Sequence, residues 1–221
     1  MVPKLPPAVD PPRPAAGPGR PKDLAKRASI LDAAARMFTR FGFEGASMDQ
    51  IASEAGVSKL TVYSHFGDKE ALFGEAARVV CDSLMPDDLF VADPSAPLRS
   101  QLAGIARAFF AMITSEEALA IHRMMMSPSG DERLRQLFWQ AGPERVQRAF
   151  TAFLEARAAE LEIPDLARAA RQFFALLKGD LHTRMACGLC ERPSAAGVDE
   201  HIDATVDMFL RAYGRRPGPA P

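Results

Sequence analysis

The chain has 221 residues, 48% of them hydrophobic and 25% charged, and its formal net charge is −1. That is enough apolar material for a sizeable core, which excludes global disorder, and too little positive charge for a wholly basic nucleic-acid coat protein. The charge is unevenly spread: residues 1–69 carry 10 Lys/Arg against 7 Asp/Glu, and residues 70–221 carry 17 against 21, so an anionic partner is expected at the N-terminal end.

Three cysteines are too few for a disulfide framework and suit a reducing compartment. The N-terminus has no apolar stretch of signal-peptide length, and no run approaches the ~18 apolar residues of a spanning helix. The expectation is a soluble, cytoplasmic protein with no membrane partner.

Residues 1–22 begin "MVPKLPPAVDPPRPAAGPGRP", rich in Pro and without apolar pattern, and read as an extended or disordered tail. Within it "GPGRPK" (17–22) is similar to the Gly-Arg-Pro core of an AT-hook but lacks the Arg before that Gly. An arm that touches the minor groove and an inert tail are both open readings.

Helical periodicity starts at Asp23. Ile30, Ala33, Ala34, Met37, Phe38 and Phe41 share one helix face, and Gly42 reads as its stop. Ser47 with Gln50 three residues later is a capping-box start for a helix that buries Ile51, Ala52 and Ala55 and ends at Gly56. Ser58 caps "KLTVYSHF", which ends at Gly67, and Asp68 caps a helix from Lys69 to about Met85.

A Pro- and Asp-rich break covers 86–97. A helix on Leu98, Leu102, Ile105, Phe109 and Ile113 follows, then a shorter one over about 116–126. Asp131 opens a long stretch, broken or bent at Gly142-Pro143, that runs to about Leu161. Leu166, Phe173, Phe174, Leu177 and Leu181 mark the next helix, and Ile202, Val206, Phe209, Leu210 and Tyr213 the last. Residues 215–221 read as a second tail. With no alternating β-type segment, the prediction is an all-α chain of about nine helices.

The segment "KLTVYSHF" is too short to stand alone in water and too polar to be core. Val62 and Phe66, four apart, can face inward with Ile51 and Ala55. That turns Lys59, Leu60, Thr61, Tyr63, Ser64 and His65 outward, a set whose charge, hydroxyls and aromatic ring suit phosphate, sugar and base edges. Two short helices joined across Gly56 are a helix-turn-helix pattern. The pattern alone is equally a capped surface helix in an ordinary bundle.

"ILDAAARMFTRFGFEGASMDQIASEAGVSKLTVYSHFGDKEALF" (30–73) resembles the DNA-binding domain of the TetR/AcrR family of transcriptional regulators over its whole length. The resemblance implies a motif from Ser47 to Phe66 with Ser58–His65 as recognition helix. It implies backbone contacts from Thr61, Tyr63 and Lys69, and sequence-tuning positions at Lys59 and Leu60. Leu60 departs from the small residue or Arg more usual there, which bears on the operator sequence. "EALAIHRMMMSPSGDERLRQLFWQAGPERVQRAF" and "AARQFFALLKGDLHTRMACG" resemble the C-terminal domain of the AefR-like branch. That implies a helical ligand-sensing and dimerising domain over 86–214, joined to a DNA-binding domain over 23–85 that includes the linker helix.

Expected partners are double-stranded operator DNA, a second copy of the chain and a small-molecule effector. The expected function is a repressor released from its operator by a small apolar or aromatic molecule. Phe109, Phe110, Met112, Met124, Met125, Trp139 and Phe174 are the candidate pocket wall, because Met and flat rings adapt to bulky guests. Plain core packing is the alternative for each of them. His122, Arg123 and His182 are candidate polar anchors.

Phe173, Leu181, Ile202, Val206, Phe209 and Tyr213 are candidate dimer residues, because their helices have apolar residues on more than one side. Cys187-Gly-Leu-Cys190 is a lone pair with no second pair to complete a zinc site; a redox switch and two small residues near a helix end are both open readings. A nucleophile elbow, a P-loop and a dinucleotide-binding Gly pattern are absent. No catalytic residue, metal or cofactor is expected. The rivals are an enzyme or carrier with an incidental helix-turn-helix, and an architectural DNA binder with a filled core.

Overall fold

The structure, a computed structural model, describes residues 20–126 and 132–215. It contains ten α-helices among those residues: α1 Arg20–Gly45, α2 Met48–Glu54, α3 Lys59–Phe66, α4 Lys69–Leu84, α5 Leu98–Ile113, α6 Glu116–Met125, α7 Glu132–Ala141, α8 Pro143–Ala156, α9 Leu166–Ala186 and α10 Ala195–Tyr213. One 3₁₀ turn, Asp87–Phe90, follows α4. The expected tails lie outside the described residues, except that α1 already starts at Arg20 and that the Arg215 N–H donates to the Glu160 carbonyl at 2.9 Å. The AT-hook-like stretch therefore runs into a helix at its C-terminal end.

The sequence caps form as expected. Ser47 Oγ accepts the Gln50 N–H at 3.2 Å while the Ser47 N–H donates to Gln50 Oε1 at 2.9 Å, a complete capping box. Ser58 Oγ accepts the Thr61 N–H at 3.1 Å, and Asp68 Oδ1 accepts the Ala71 N–H at 2.7 Å. Gly142-Pro143 splits one expected helix into α7 and α8, with Pro143 at the first position of α8, where its missing N–H costs nothing.

Gly42 does not end α1. It bends the chain (φ 69°, ψ 177°) and the helix resumes to Gly45. The bend throws Phe41 outward, 44% exposed, and buries Phe43 in its place. Phe43, Phe38 and Phe73 then form an aromatic cluster with ring centroids 5.1–5.8 Å apart, at the centre of a core shared by α1–α4.

A second core fills the body. Phe150, Phe153, Phe173 and Phe209 are fully buried there with Leu102, Ile105 and Phe110. Phe150 lies 4.7 Å from Phe173, and Phe173 lies 5.0 Å from Phe209. Ile202 and Val206 are also at zero exposure. Phe173, Ile202, Val206 and Phe209 are thus interior residues of one chain rather than dimer contacts. These residues of α9 and α10 are covered by α5 and α8, which pack against them.

The first core does not stop at α4. Met125 of α6 and Leu134 of α7 are buried in it, with Ile121, Met124 and Phe138 packed around. The Phe43 N–H donates to Met124 Sδ at 3.3 Å, beside the Gly42 bend. Helices α6 and α7 therefore seat directly on the helix-turn-helix unit. Arg157, 2% exposed, pins the loop before α5: it donates to Gln101 Oε1 at 2.7 Å and the Ala96 carbonyl at 3.0 Å and pairs with Glu160.

Candidate nucleic-acid interface and effector cavity

α3 has Val62 and Phe66 buried against α2 and α1, as its i, i+4 spacing dictates. Its outward face carries Lys59, Leu60, Tyr63 and Ser64, all exposed, with Ser47 and Ser58 exposed at the two caps. Leu60 is 78% exposed, a large apolar side chain standing in water with nothing from its own chain over it.

Thr61 is half-buried, and its hydroxyl lies 2.8 Å from Ser58 Oγ. Ser64 Oγ donates to the Thr61 carbonyl at 2.8 Å, closing onto its own helix. Lys59 Nζ reaches Asp49 Oδ2 at 2.7 Å, and that hydrogen bond, more than the Coulomb attraction, raises the lysine above its ordinary value.

Two residues differ from the outward set. His65 turns toward α1, its side chain 13% exposed and Nε2 3.2 Å from Asp23 Oδ1. It lies three residues after the buried Val62, on the same face of the helix. Lys69 is half-buried, with Nζ 4.4 Å from the centre of the Phe43 ring, so its charge is anchored at the α4 N-terminus.

Above this surface lies a cavity of ≈ 500 Å³, within the range of small-molecule sites. Of the seven expected wall residues, Phe109, Met112, Trp139 and Phe174 line it. Phe110 does not, being sealed in the body core, and Met124 and Met125 do not, being spent on the contact with α1 and the head core.

The wall also contains residues not expected in it, among them Phe38 and Thr39 of α1, and Phe73, Ala76, Val80, Cys81 and Leu84 of α4. The cavity thus spans the junction between the helix-turn-helix unit and the body, beyond the 86–214 domain expected to sense the ligand. Burial pushes the Cys81 thiol up, away from reactivity. A Cβ on Gly142 would lie 2.8 Å from Cys81 Sγ, so any larger residue there would force the Cys81 side chain to move.

One end of the cavity is polar. His122 of α6 and His182 of α9 meet edge to face, ring centroids 4.8 Å apart, and Lys178 lies beside them. His182 is 5% exposed, and burial, then the His122 and Lys178 charges, lower it from 6.5 to about 4. Burial and then Lys178 lower His122 as well. Both rings are neutral at physiological pH.

Arg123 is not part of this end. Its Nε donates to the Ala186 carbonyl at 2.7 Å and fastens α6 to α9. The sequence could have pointed to Lys178: Phe174, Lys178 and His182 recur every four residues, one helix face with a charge in its middle.

α4 connects the two regions and is held at both ends. Asp68, at its N-cap, also pairs with Arg133 of α7 at 3.0 Å. The Ala71 N–H, more than Arg133, holds that carboxyl below the usual range. At the other end Arg145 of α8 donates to the Met85 carbonyl at 2.6 Å and pairs with Asp82 at 2.9 Å and Asp87 at 2.5 Å, a cation at a helix C-terminus.

Residues 30–76 match the family described as bacterial regulatory proteins, tetR family, and residues 100–215 match the AefR-like transcriptional repressor, C-terminal domain. The chain belongs to the TetR family. A putative TetR-family regulator from Mesorhizobium loti superposes with a TM-score of 0.72 at 30% identity, over 88% of this chain and 99% of that one. The flavonoid-responsive regulator FrrA does so at 0.70 and 37% identity, over 87% and 98%.

An uncharacterized HTH-type regulator of Bacillus subtilis, YhgD, is 33% identical over 90 residues, which is 41% of this chain and 46% of that protein. The matched stretch thus spans less than half the length of that relative. As a TetR-family member the chain is an all-α transcriptional regulator. Among the described residues no helix is long and apolar enough to cross a membrane, and no group of three or more His, Cys, Asp or Glu is placed to hold a metal. Cys187 and Cys190 are free thiols beyond the end of α9.

Proposed function

We infer that the protein is a cytoplasmic, homodimeric repressor that leaves its operator when a small, mainly apolar molecule enters the cavity. Residues 23–85 form the DNA-binding unit with the linker helix, and residues 86–214 the regulatory unit. The observation that carries the reading is the cavity's wall: α4 contributes six residues to it and α1 contributes four, Phe38 and Thr39 among them. A guest in that space touches the helix that carries the head and the body that holds the guest. An architectural DNA binder has no use for such a space.

DNA contacts are assigned to Ser47, Ser58, Lys59, Leu60, Thr61, Tyr63, Ser64 and Lys69. The exposed Leu60 suits a thymine methyl, and Tyr63 and Lys69 suit phosphates. Two heads must present their recognition helices one DNA turn apart, about 34 Å.

A guest that wedges α4 from α7 and α8 works against the Asp68–Arg133 and Arg145 ties and alters that spacing. It acts only to the extent that it binds the non-operator conformation more tightly. The flavonoid response in the name of a 37%-identical relative supports a planar, aromatic guest.

The dimer face is assigned to the side of α9 and α10 away from the core. Ala175, Ala204, Met208 and Ala212 are exposed there, with Leu176 and Leu181 half-buried. Small residues let helices approach closely, and a two-fold mate would complete a four-helix interface.

The test is operator release. The chain's own upstream DNA is footprinted, then challenged with flavones, biphenyls and fatty acids while Trp139 fluorescence reports binding. Protection of no specific site, or occupancy of the cavity without any change in operator affinity, overturns the reading.

A further inference from the structure

Lys178 has no ion-pair or hydrogen-bond partner among the described residues. Lys178 lines the cavity and remains exposed, yet partial burial among the walls lowers its pKa below the usual 10.5. A partly desolvated ammonium without a counter-charge, set at the edge of an apolar cavity, is a ready partner for an anionic group of a guest.

The backbone is shaped at this point. Gly179, next in sequence, breaks α9 with φ 49° and ψ −155°, a region open to glycine and strained for other residues. His201 of α10 closes the break, its Nε2 2.8 Å from the Leu177 carbonyl oxygen. The break falls between Lys178 and His182 and sets how the two face the cavity.

We propose that the cavity is built for a monoanion: an apolar body against Phe109, Phe174 and Trp139, and one anionic oxygen group, carboxylate or phenolate, received by the Lys178 ammonium with the His122 and His182 imidazoles beside it. The inference rests on the effector reading above and narrows its ligand class. Neutral imidazoles can each donate one hydrogen bond to such an oxygen without adding charge. A polyanion does not fit. Arg36, the other cationic side chain on the wall, is already hydrogen-bonded to Asp32 and Glu54, and Glu117 adds a negative charge to the same wall.

The experiment uses matched pairs and Trp139 fluorescence: biphenyl-4-carboxylate against biphenyl-4-carboxamide, and 7-hydroxyflavone against 7-methoxyflavone at about pH 8. The wild-type protein should bind at least one anionic member about tenfold or more tightly than its neutral partner, as a charge-assisted hydrogen bond in a desolvated site requires. The pair that shows the preference tells carboxylate from phenolate.

Lys178→Met, which keeps the length and removes the charge, should abolish the preference while still binding the neutral partner. Lys178→Arg should restore part of it.

Equal binding of charged and neutral members, or a preference that survives Lys178→Met, overturns the inference and leaves the effector reading standing. If no member of either pair binds or releases operator, both fall.

Discussion

Acid should destabilise this protein through His182, and the size of the effect follows from its surroundings. The ring is 5% exposed and packs against His122, with Lys178 the nearest lysine charge, while Glu117 and Arg36 line the same cavity further along the wall. Its pKa is about 4 in the fold against 6.5 free. Between those values the unfolded chain binds more protons than the folded one, so stability falls as pH falls, and the loss is complete below about pH 4.

From pH 7.5 to pH 5 the loss assigned to this ring is ~2 kcal/mol, and ~3 kcal/mol is the ceiling set by the whole shift. His122, also lowered, adds in the same direction. Carboxylates contribute their own acid dependence, so the informative quantity is a difference. Urea unfolding of wild type and His182→Gln, followed by circular dichroism at equal protein concentration at pH 7.5, 6 and 5, should show the wild type losing ~2 kcal/mol more than the variant at pH 5. Equal losses in the two proteins would refute the reasoning. They would mean that cavity water solvates the imidazolium well enough to cancel the burial penalty.

Tyr63→Phe and Lys69→Ala should each weaken binding to any duplex several-fold, and loss of the Lys69 phosphate contact should reduce the slope of log K against log salt by about 0.9, read by fluorescence anisotropy. Asp49→Asn frees Lys59 from its 2.7 Å partner and should tighten non-specific DNA binding with an altered salt dependence; unchanged affinity would count against Lys59 as a DNA contact. Met208→Glu, on a side chain 55% exposed, should give folded monomers in sedimentation. Phe209→Glu should instead unfold the chain, because that ring is in the body core. Met124→Ala removes the contact with the Phe43 N–H and should leave effector binding intact while reducing effector-driven release from the operator.

The sequence by itself determined the local order of the chain. Caps at Ser47, Ser58 and Asp68 and the spacing of Val62 and Phe66 are written in residues a few positions apart, and the energies that enforce them are local. The outward face of α3 was legible for the same reason: an eight-residue helix with two buried anchors leaves little choice for the rest. His65 escaped because its partner, Asp23, is 42 positions away. Gly42 read as a stop because periodicity alone cannot tell a bend from an end.

Only the tertiary structure decided which apolar side chains meet each other and which meet a void. Hydrophobic burial is non-directional, so the pattern of α9 and α10 marked Phe173, Ile202, Val206 and Phe209 as apolar without saying whether α5, α8 or a second chain would cover them. The same indifference sent Met124 and Met125 to the head rather than to the cavity. It left Lys178 unremarked until the walls of α4, α6 and α9 closed around it, because an unpaired charge is defined by what is missing from its neighbourhood, and a neighbourhood exists only once the chain has folded.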